Sequence, residues 1–272
     1  MQLFDTHCHI QEAEEASNAQ DATQKKWHQA GNPLADDLID AAHAADVAFM
    51  MCVGCTLEDS RRALALTESR KNIWTSIGIH PHEAQAHLDE PGVMEAFAAL
   101  ATEPSVKAVG ECGLDYYYDH SPREAQRKLL RFQIELALKH NLPMIFHIRD
   151  AFDDFWPIFD SYTGIRGVVH SFTATEKELQ QILDRGLFVG LNGIMTFTKD
   201  HEQLQAATSV PLDRLVLETD APFLTPKPFR GTICEPKHVR ATAEFLAALR
   251  GETLDELATA TTRNAHMLFD TE

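Results

Sequence analysis

The strongest constraint on the fold is a regular alternation of short apolar runs with stretches of helical periodicity. Eight runs rich in β-branched and other apolar residues occur at residues 2–5, 47–53, 73–79, 106–110, 143–148, 167–169, 187–191 and 214–218. Strands that alternate with helical stretches are typical of βαβ units and a parallel sheet. Eight repeats within 272 residues predict an α/β fold of the (β/α)8 TIM barrel type, because doubly wound sheets of this size usually have fewer strands.

The stretches between the runs carry apolar residues at helical spacing, as Leu34, Leu38 and Ile39 do after the first run. Further helices are predicted at residues 60–69, 93–101, 176–184 and 237–249. No segment rich in Pro, Gly or Ser and no break in composition divides the chain. We therefore predict a single domain over residues 1–272.

The charge balance limits the partners of such a domain. Lys and Arg number 24 against 41 Asp and Glu, which gives a formal net charge of -17. This charge is unfavourable for a protein that holds polyanions by bulk electrostatics, so any contact with nucleic acid must be local or mediated by metal ions. The sequence offers no candidate membrane span, no signal peptide at its start and no sign of a stable protein partner, and we expect a cytoplasmic protein.

One polar segment, residues 11–33, has little apolar periodicity and is predicted to be a long first βα loop. In a barrel such a loop lies over the face that carries the active site, so it could act as a lid. A cluster of Lys25, Lys26, Trp27 and His28 within it could contact a nucleic-acid strand. A tolerated surface insertion is the alternative interpretation.

Six histidines and carboxylates stand at the predicted carboxyl ends of strands. They are His7 and His9 after the first run, Glu111 after the fourth, His147 and His170 at the ends of the fifth and sixth, and Asp220 after the eighth. Residues two apart on an extended chain point the same way, so His7 and His9 can reach one ion. The carboxyl ends of barrel strands converge on one mouth, which predicts that all six side chains meet there.

The residue types in this set are those of a metal site. Imidazoles and carboxylates suit Zn²⁺, Mn²⁺, Fe or Co, whereas a lone histidine at a strand end is more often a hydrogen-bonded structural residue. Six ligands exceed what one tetrahedral zinc ion uses. The simplest chemistry is a pair of ions that share a carboxylate, activate a water molecule and stabilise the oxygens of a displacement reaction.

Several motifs in this chain resemble those of the TatD family of metal-dependent deoxyribonucleases, within the amidohydrolase-like barrels. They are Asp-Thr-His-Cys-His at 5–9, Gly-Ile-His-Pro-His at 78–82, Gly-Glu-Cys-Gly-Leu-Asp-Tyr-Tyr at 110–117, Leu-Pro-Met-Ile-Phe-His at 142–147, His-Ser-Phe at 170–172 and Glu-Thr-Asp-Ala-Pro at 218–222. The likeness runs in order from residue 5 to about residue 269.

The resemblance implies a site with two divalent ions per subunit, Mg²⁺, Mn²⁺ or Zn²⁺. One ion would be held by His7, His9 and Asp220, and the other by His147 and His170. Glu111 would bridge the two ions.

Catalytic and substrate-binding roles follow from residue chemistry. Asp220 can orient or deprotonate the attacking water, and Glu111 is the second residue that we expect to be catalytic. Arg149 has the strand parity to face the mouth and hold a phosphate, although an ion pair with Glu218 or Asp150 is the alternative. His80 is the other expected phosphate contact, unless it is a solvent-facing loop residue.

Three functions therefore compete for this sequence. The leading hypothesis is a deoxyribonuclease that hydrolyses phosphodiesters at DNA ends, with DNA, single-stranded or end-directed, as its substrate. The second is a deacylase that uses the same metals on an ester or amide such as D-aminoacyl-tRNA. The third, a non-catalytic scaffold, is disfavoured by the intact set of six ligands.

Overall fold

The computed structural model describes residues 1–13 and 21–271. The chain is an α/β barrel of eight parallel strands that follow one another in chain order, which confirms the predicted TIM barrel. The strands are β1 Leu3–Cys8, β2 Val47–Val53, β3 Ile73–Ile77, β4 Val106–Asp115, β5 Met144–Arg149, β6 Gly167–Val169, β7 Phe188–Leu191 and β8 Leu215–Leu217.

Several of the described helices begin directly after a residue whose side chain caps them. Thr56, Thr175 and Asp200 each precede a helix and accept a hydrogen bond from a backbone N–H of its first turn. The helices are α1 Ala22–Gln29, α2 Ala35–Ala44, α3 Leu57–Thr67, α4 Ala84–Asp89, α5 Val93–Leu100, α6 Arg123–His140, α7 Phe152–Phe159, α8 Glu176–Asp184, α9 His201–Ser209, α10 Val239–Arg250 and α11 Leu254–Phe269.

The chain divides into two compact units. The first comprises residues 1–52 and 171–267 and holds β1, β7, β8 and nearly all of β2. In this unit the buried ring of Phe4 contacts the half-buried rings of Phe49 and His266, and the three ring centroids lie 4.5 to 5.8 Å apart. This cluster packs α11 against β1 and β2.

The second unit comprises residues 53–170 and 268–271 and holds β3 to β6. Behind β5, the ring of Phe146 lies 5.1 Å from that of Phe155 and 5.9 Å from that of Phe159. These aromatic contacts bury the apolar face of α7.

Two strands differ from the sequence prediction in ways that matter for the site. β1 extends to Cys8 and β4 to Asp115, so His7 and Glu111 lie within strands rather than after them. The extension of β4 depends on its pairing with β5, where Gly113 lies opposite His147. The predicted fifth run is one residue too early at its start, because Pro143 has no N–H to donate to the sheet.

Gly113 is the residue that lets β4 and β5 approach at this point. Its φ is 150°, and a Cβ atom there would overlap the backbone oxygen of His147. We expect Gly113→Ala to lower the free energy of unfolding by about 3 kcal/mol, because backbone cannot move aside as a flexible side chain can. Gly186→Ala is the matched control, since Gly186 also has a positive φ, 70°, but no atom within 4 Å of an added Cβ.

Chemical denaturation of both variants measures the difference. The control should lose only about 1 kcal/mol, the conformational cost of a positive φ. Equal losses in the two variants would contradict the close approach of β4 and β5.

Part of the predicted loop at 11–33 is helical, since α1 lies within it; its residues 14–20 fall outside the described part of the chain. Trp27 is fully buried and its Nε1–H donates to the carbonyl oxygen of His9, 3.0 Å away. Contact of this cluster with a nucleic-acid strand is therefore wrong for Trp27, whose buried ring is not available to a ligand, and stays a prediction for Lys25, Lys26 and His28. The single-domain boundaries and the lid stay predictions.

No helix in the described part of the chain is both long enough and apolar enough to cross a bilayer.

Candidate metal centre

The first unit contains a histidine–aspartate half-site formed by His7, His9 and Asp220. The Nε2 atoms of His7 and His9 lie 3.7 and 3.4 Å from Oδ1 of Asp220. Their rings are 5.0 Å apart and nearly perpendicular. Both imidazoles are buried, whereas the Asp220 side chain is 18% exposed and can be reached by water.

Backbone pairing between β1 and the segment after β8 assembles this half-site. The N–H of Asp220 donates to the carbonyl oxygen of His7, and the N–H of His9 donates to that of Ala221, both at 2.8 Å. Asp220 has a φ of 63°, a left-handed conformation that is uncommon outside glycine and typical of functional positions. The parallel pairing thus aims the carboxylate at the two imidazoles.

Asp5 fixes the residue that precedes Asp220. Its Oδ2 accepts a hydrogen bond from the Thr219 hydroxyl at 2.6 Å, and its Oδ1 accepts one from the Thr219 N–H at 2.8 Å. Burial raises the pKa of Asp5 to about 8 despite these bonds. Asp5 therefore acts as a support for the half-site, a role that its position in the first motif did not reveal.

The second unit contains a glutamate-centred half-site formed by His80, Glu111, His147 and His170. Oε1 of Glu111 lies 2.8 Å from Nδ1 of His147, 3.0 Å from Nε2 of His170 and 3.5 Å from Nε2 of His80. The ligand atoms of His80, Glu111 and His147 lie within 4.8 Å of one another, close enough to hold an ion. The sequence analysis had assigned His80 to the substrate, and that role stays a prediction.

Sheet pairing positions the members of this half-site. The N–H of Glu111 donates to the carbonyl oxygen of Gly54 at 3.0 Å, and the N–H of His170 donates to that of Phe146 at 3.0 Å. The thiol of Cys55 donates to Oε2 of Glu111 at 3.6 Å. Nothing in the local sequence indicates this contact.

Asp115 supports the half-site from the end of β4. Its Oδ2 lies 2.9 Å from Nε2 of His147 and 3.1 Å from Nε2 of His82. Metal-binding histidines commonly donate their second ring N–H to a carboxylate, which fixes the orientation of the ring. The sequence analysis missed Asp115, although the two-residue period of a strand puts positions 111, 113 and 115 on one face.

The electrostatics of the half-site differ from one side chain to the next. Burial alone would raise the pKa of Glu111, but the imidazoles of His170 and His80 hold that pKa well below its usual range. Burial keeps the pKa of His80 well below its ordinary value. For His147, burial is outweighed by hydrogen bonds with Asp115 and Glu111, which raise its pKa. The shifts thus favour an anionic Glu111 and a neutral His80, the forms that coordinate ions, whereas the raised pKa of His147 favours its protonated form, which must lose a proton to bind an ion.

Arg149 does not join the half-site. Its side chain is exposed, and its guanidinium carbon lies 4.3 and 4.7 Å from the ring centroids of Tyr117 and Tyr118. It forms no ion pair with any carboxylate of the described residues. The alternative interpretation of Arg149 as an ion-pair partner is therefore wrong, and its contact with phosphate stays a prediction.

Comparison with protein families places the chain among known proteins. Residues 4–270 match the family model described as "TatD related DNase". YcfH of Escherichia coli K12, named as an uncharacterized metal-dependent hydrolase, is 36% identical over 271 residues, 99% of this chain and 96% of that protein.

Two further relatives carry a name or a structure. The 3'-5' ssDNA/RNA exonuclease TatD of Salmonella typhimurium LT2 is 34% identical over 245 residues, 86% of this chain and 92% of that protein. The crystal structure of YJJV, a TatD homologue from Escherichia coli K12, matches with a TM-score of 0.86 at 26% identity, covering 99% of this chain and 98% of that one.

Proposed function

Because the chain belongs to the TatD-related DNase family and is a metal-dependent hydrolase, we propose that it is a nuclease that removes nucleotides from the ends of single-stranded DNA. The observation that carries this proposal is the pair of half-sites, each a carboxylate approached by buried imidazoles. The Salmonella relative, 34% identical, is named as an exonuclease on ssDNA and RNA, which supports the choice of substrate.

The donor set fits divalent ions. Imidazole nitrogen and carboxylate oxygen are ligands of Zn²⁺ and Mn²⁺, and the His, Glu and Asp clusters are consistent with a binuclear metal site. We propose that His7, His9 and Asp220 hold one ion, that His147 and His170 hold the other, and that Glu111 contacts both. For His147, the Nε2 contact with Asp115 leaves Nδ1, on the Glu111 side, to coordinate the ion.

Ions bound there would stabilise negative charge on the phosphate oxygens and make water a better nucleophile at neutral pH. The chain's own residues do the rest of the chemistry. Asp220, partly exposed beside two buried imidazoles, accepts the proton of the attacking water. Glu111 stays ionised and keeps His147 and His170 in place around the phosphate.

Two side chains bind the substrate in this proposal. The exposed guanidinium of Arg149 can donate two parallel hydrogen bonds to a phosphate. His80, with its lowered pKa, contacts the phosphate as a neutral donor. Attraction for the phosphates of the substrate is thus concentrated beside the half-sites, because the net charge of -17 repels DNA elsewhere.

An end-labelled assay tests the nuclease and its metal dependence. Protein stripped with a chelator should leave 5'- or 3'-labelled single-stranded DNA intact, and addition of Mg²⁺, Mn²⁺ or Zn²⁺ should restore release of mononucleotides. The same preparations are tested on D-aminoacyl-tRNA. Protein that is loaded with metal, leaves the DNA intact and cleaves the acyl ester would overturn the nuclease in favour of the deacylase.

A further inference from the structure

An exposed aromatic surface lies beside the glutamate-centred half-site. Tyr117 and Tyr118 are 59% and 50% exposed. Their rings meet edge to face at 4.9 Å, and Arg149 lies against both. We call Tyr117, Tyr118 and Arg149 the tyrosine platform.

Tyr116, which precedes the platform in the chain, has different surroundings from the two platform tyrosines. The hydroxyl of Tyr116 donates to Oδ2 of Asp154 at 2.8 Å, and Arg127 donates to the same carboxylate oxygen at 2.8 Å. The guanidinium of Arg123 covers the Tyr116 ring at 4.1 Å. Tyr116 is therefore held in a polar network, whereas the next two rings face solvent.

Tyr118 is the more restrained member of the platform. Its ring is nearly parallel to that of His120, with centroids 5.6 Å apart, and lies 5.7 Å from that of His82. Tyr117 touches only Tyr118 and Arg149 among the described aromatic and cationic groups, and it has the larger exposed area. Tyr117 is thus the ring on which a planar ligand can stack.

Asp115 links the platform to the half-site. Its Oδ1 accepts the backbone N–H groups of Tyr117 and Tyr118 at 3.1 and 2.8 Å. Its Oδ2 faces His147 and His82 at 2.9 and 3.1 Å. One carboxylate therefore fixes the position of the two tyrosines relative to the imidazole that contacts Glu111.

The chemistry of the platform combines a π surface with a cation. A guanidinium that stacks on a ring by its face keeps its N–H edge available for an anion. A nucleotide presents both partners, a planar base and an adjacent phosphate. Base–aromatic stacking also needs no particular sequence, which suits an enzyme that degrades ends.

We propose that the tyrosine platform binds the nucleotide next to the one being cleaved, with its base stacked on Tyr117 and its phosphate held by Arg149. This inference rests on the proposed function, because it places the scissile phosphate at the glutamate-centred half-site. Stacking of the base would supply binding affinity that an acidic protein cannot obtain from bulk electrostatic attraction to DNA.

Equilibrium binding of two oligonucleotides tests the platform. One is a fluorescein-labelled thymidine pentanucleotide, and the other is the same backbone without bases; both are measured by fluorescence anisotropy with Ca²⁺ as the metal. The wild-type protein should bind the base-bearing strand about tenfold more tightly, as expected for one stacked base. Tyr117→Ala should reduce this ratio to about one.

Three further variants make the test specific. Tyr117→Phe should keep the ratio, because the ring and not the hydroxyl stacks. Arg149→Gln should weaken binding of both strands by a similar factor, because it removes a phosphate contact. Tyr162→Ala is the matched control, since the Tyr162 hydroxyl contacts Glu135 away from the platform, and its ratio should equal that of the wild type.

The outcomes separate this inference from the nuclease itself. Equal binding of the two strands by the wild type, no binding of either, or an unchanged ratio in Tyr117→Ala overturns the platform. If the protein cleaves DNA and Tyr117→Ala leaves the ratio of the two strand affinities unchanged, the protein is a nuclease that does not use the platform. A protein whose ratio depends on Tyr117 but which cleaves no DNA supports the platform and contradicts the nuclease.

Discussion

Replacing Asp220 with Asn should reduce kcat on single-stranded DNA by about 100-fold or more, the contribution of a positioned general base. The amide cannot accept the proton that the carboxylate takes from water. The fold should persist, because the backbone N–H of residue 220 still donates to His7 and the side chain is of equal size. Steady-state kinetics with metal in excess, together with thermal unfolding, measure both effects.

The matched control for this variant is Asp213→Asn. It makes the same chemical change in the same unit, in a short 3₁₀ helix before β8. Its kcat should equal that of the wild type. Full activity in Asp220→Asn would exclude Asp220 as the base.

Replacing Glu111 with Ala should remove bound metal as well as activity. The carboxylate lies within 3.5 Å of nitrogen atoms of three imidazoles, so its loss leaves those rings without the anion that they share. We expect metal affinity to fall by more than the 10- to 100-fold that is typical when a supporting residue is removed. Metal content after gel filtration, measured by mass spectrometry, and kcat report the two losses.

Asp115→Asn provides the graded comparison. Asp115 orients His147 without belonging to the proposed ligands, so this variant should lose about 10- to 100-fold in metal affinity and retain measurable turnover with excess metal. A Glu111→Ala protein that keeps two ions per chain, or that is affected less than Asp115→Asn, would rule out a ligand role for Glu111.

Local sequence was sufficient to predict the bounds of elements that depend mainly on their own residues. β6 and α8 begin and end where the sequence analysis predicted them. The helix has its own capping box, in which Thr175 and Glu178 satisfy each other's backbone N–H groups. The strand-end rule likewise selected the members of the two half-sites except His80, which lies 3.5 Å from Glu111.

Contacts between elements were harder to predict. The extension of β4 to Asp115 depends on the absence of a side chain at Gly113 opposite β5, which no periodicity reveals. Strand parity did not reveal the partners of Arg149, which are the rings of Tyr117 and Tyr118. The burial of Trp27 depends on a hydrogen bond to the backbone of His9, a residue 18 positions away.

We propose a binuclear metal centre in which two divalent ions share the carboxylate of Glu111. Electron paramagnetic resonance of the metal-stripped protein titrated with Mn²⁺ tests it most directly, because two ions that share a carboxylate are magnetically coupled. We expect two Mn²⁺ ions per chain and a coupled spectrum that is lost in Glu111→Ala. A single bound ion, or two ions with the six-line spectrum of isolated Mn²⁺, would contradict the claim.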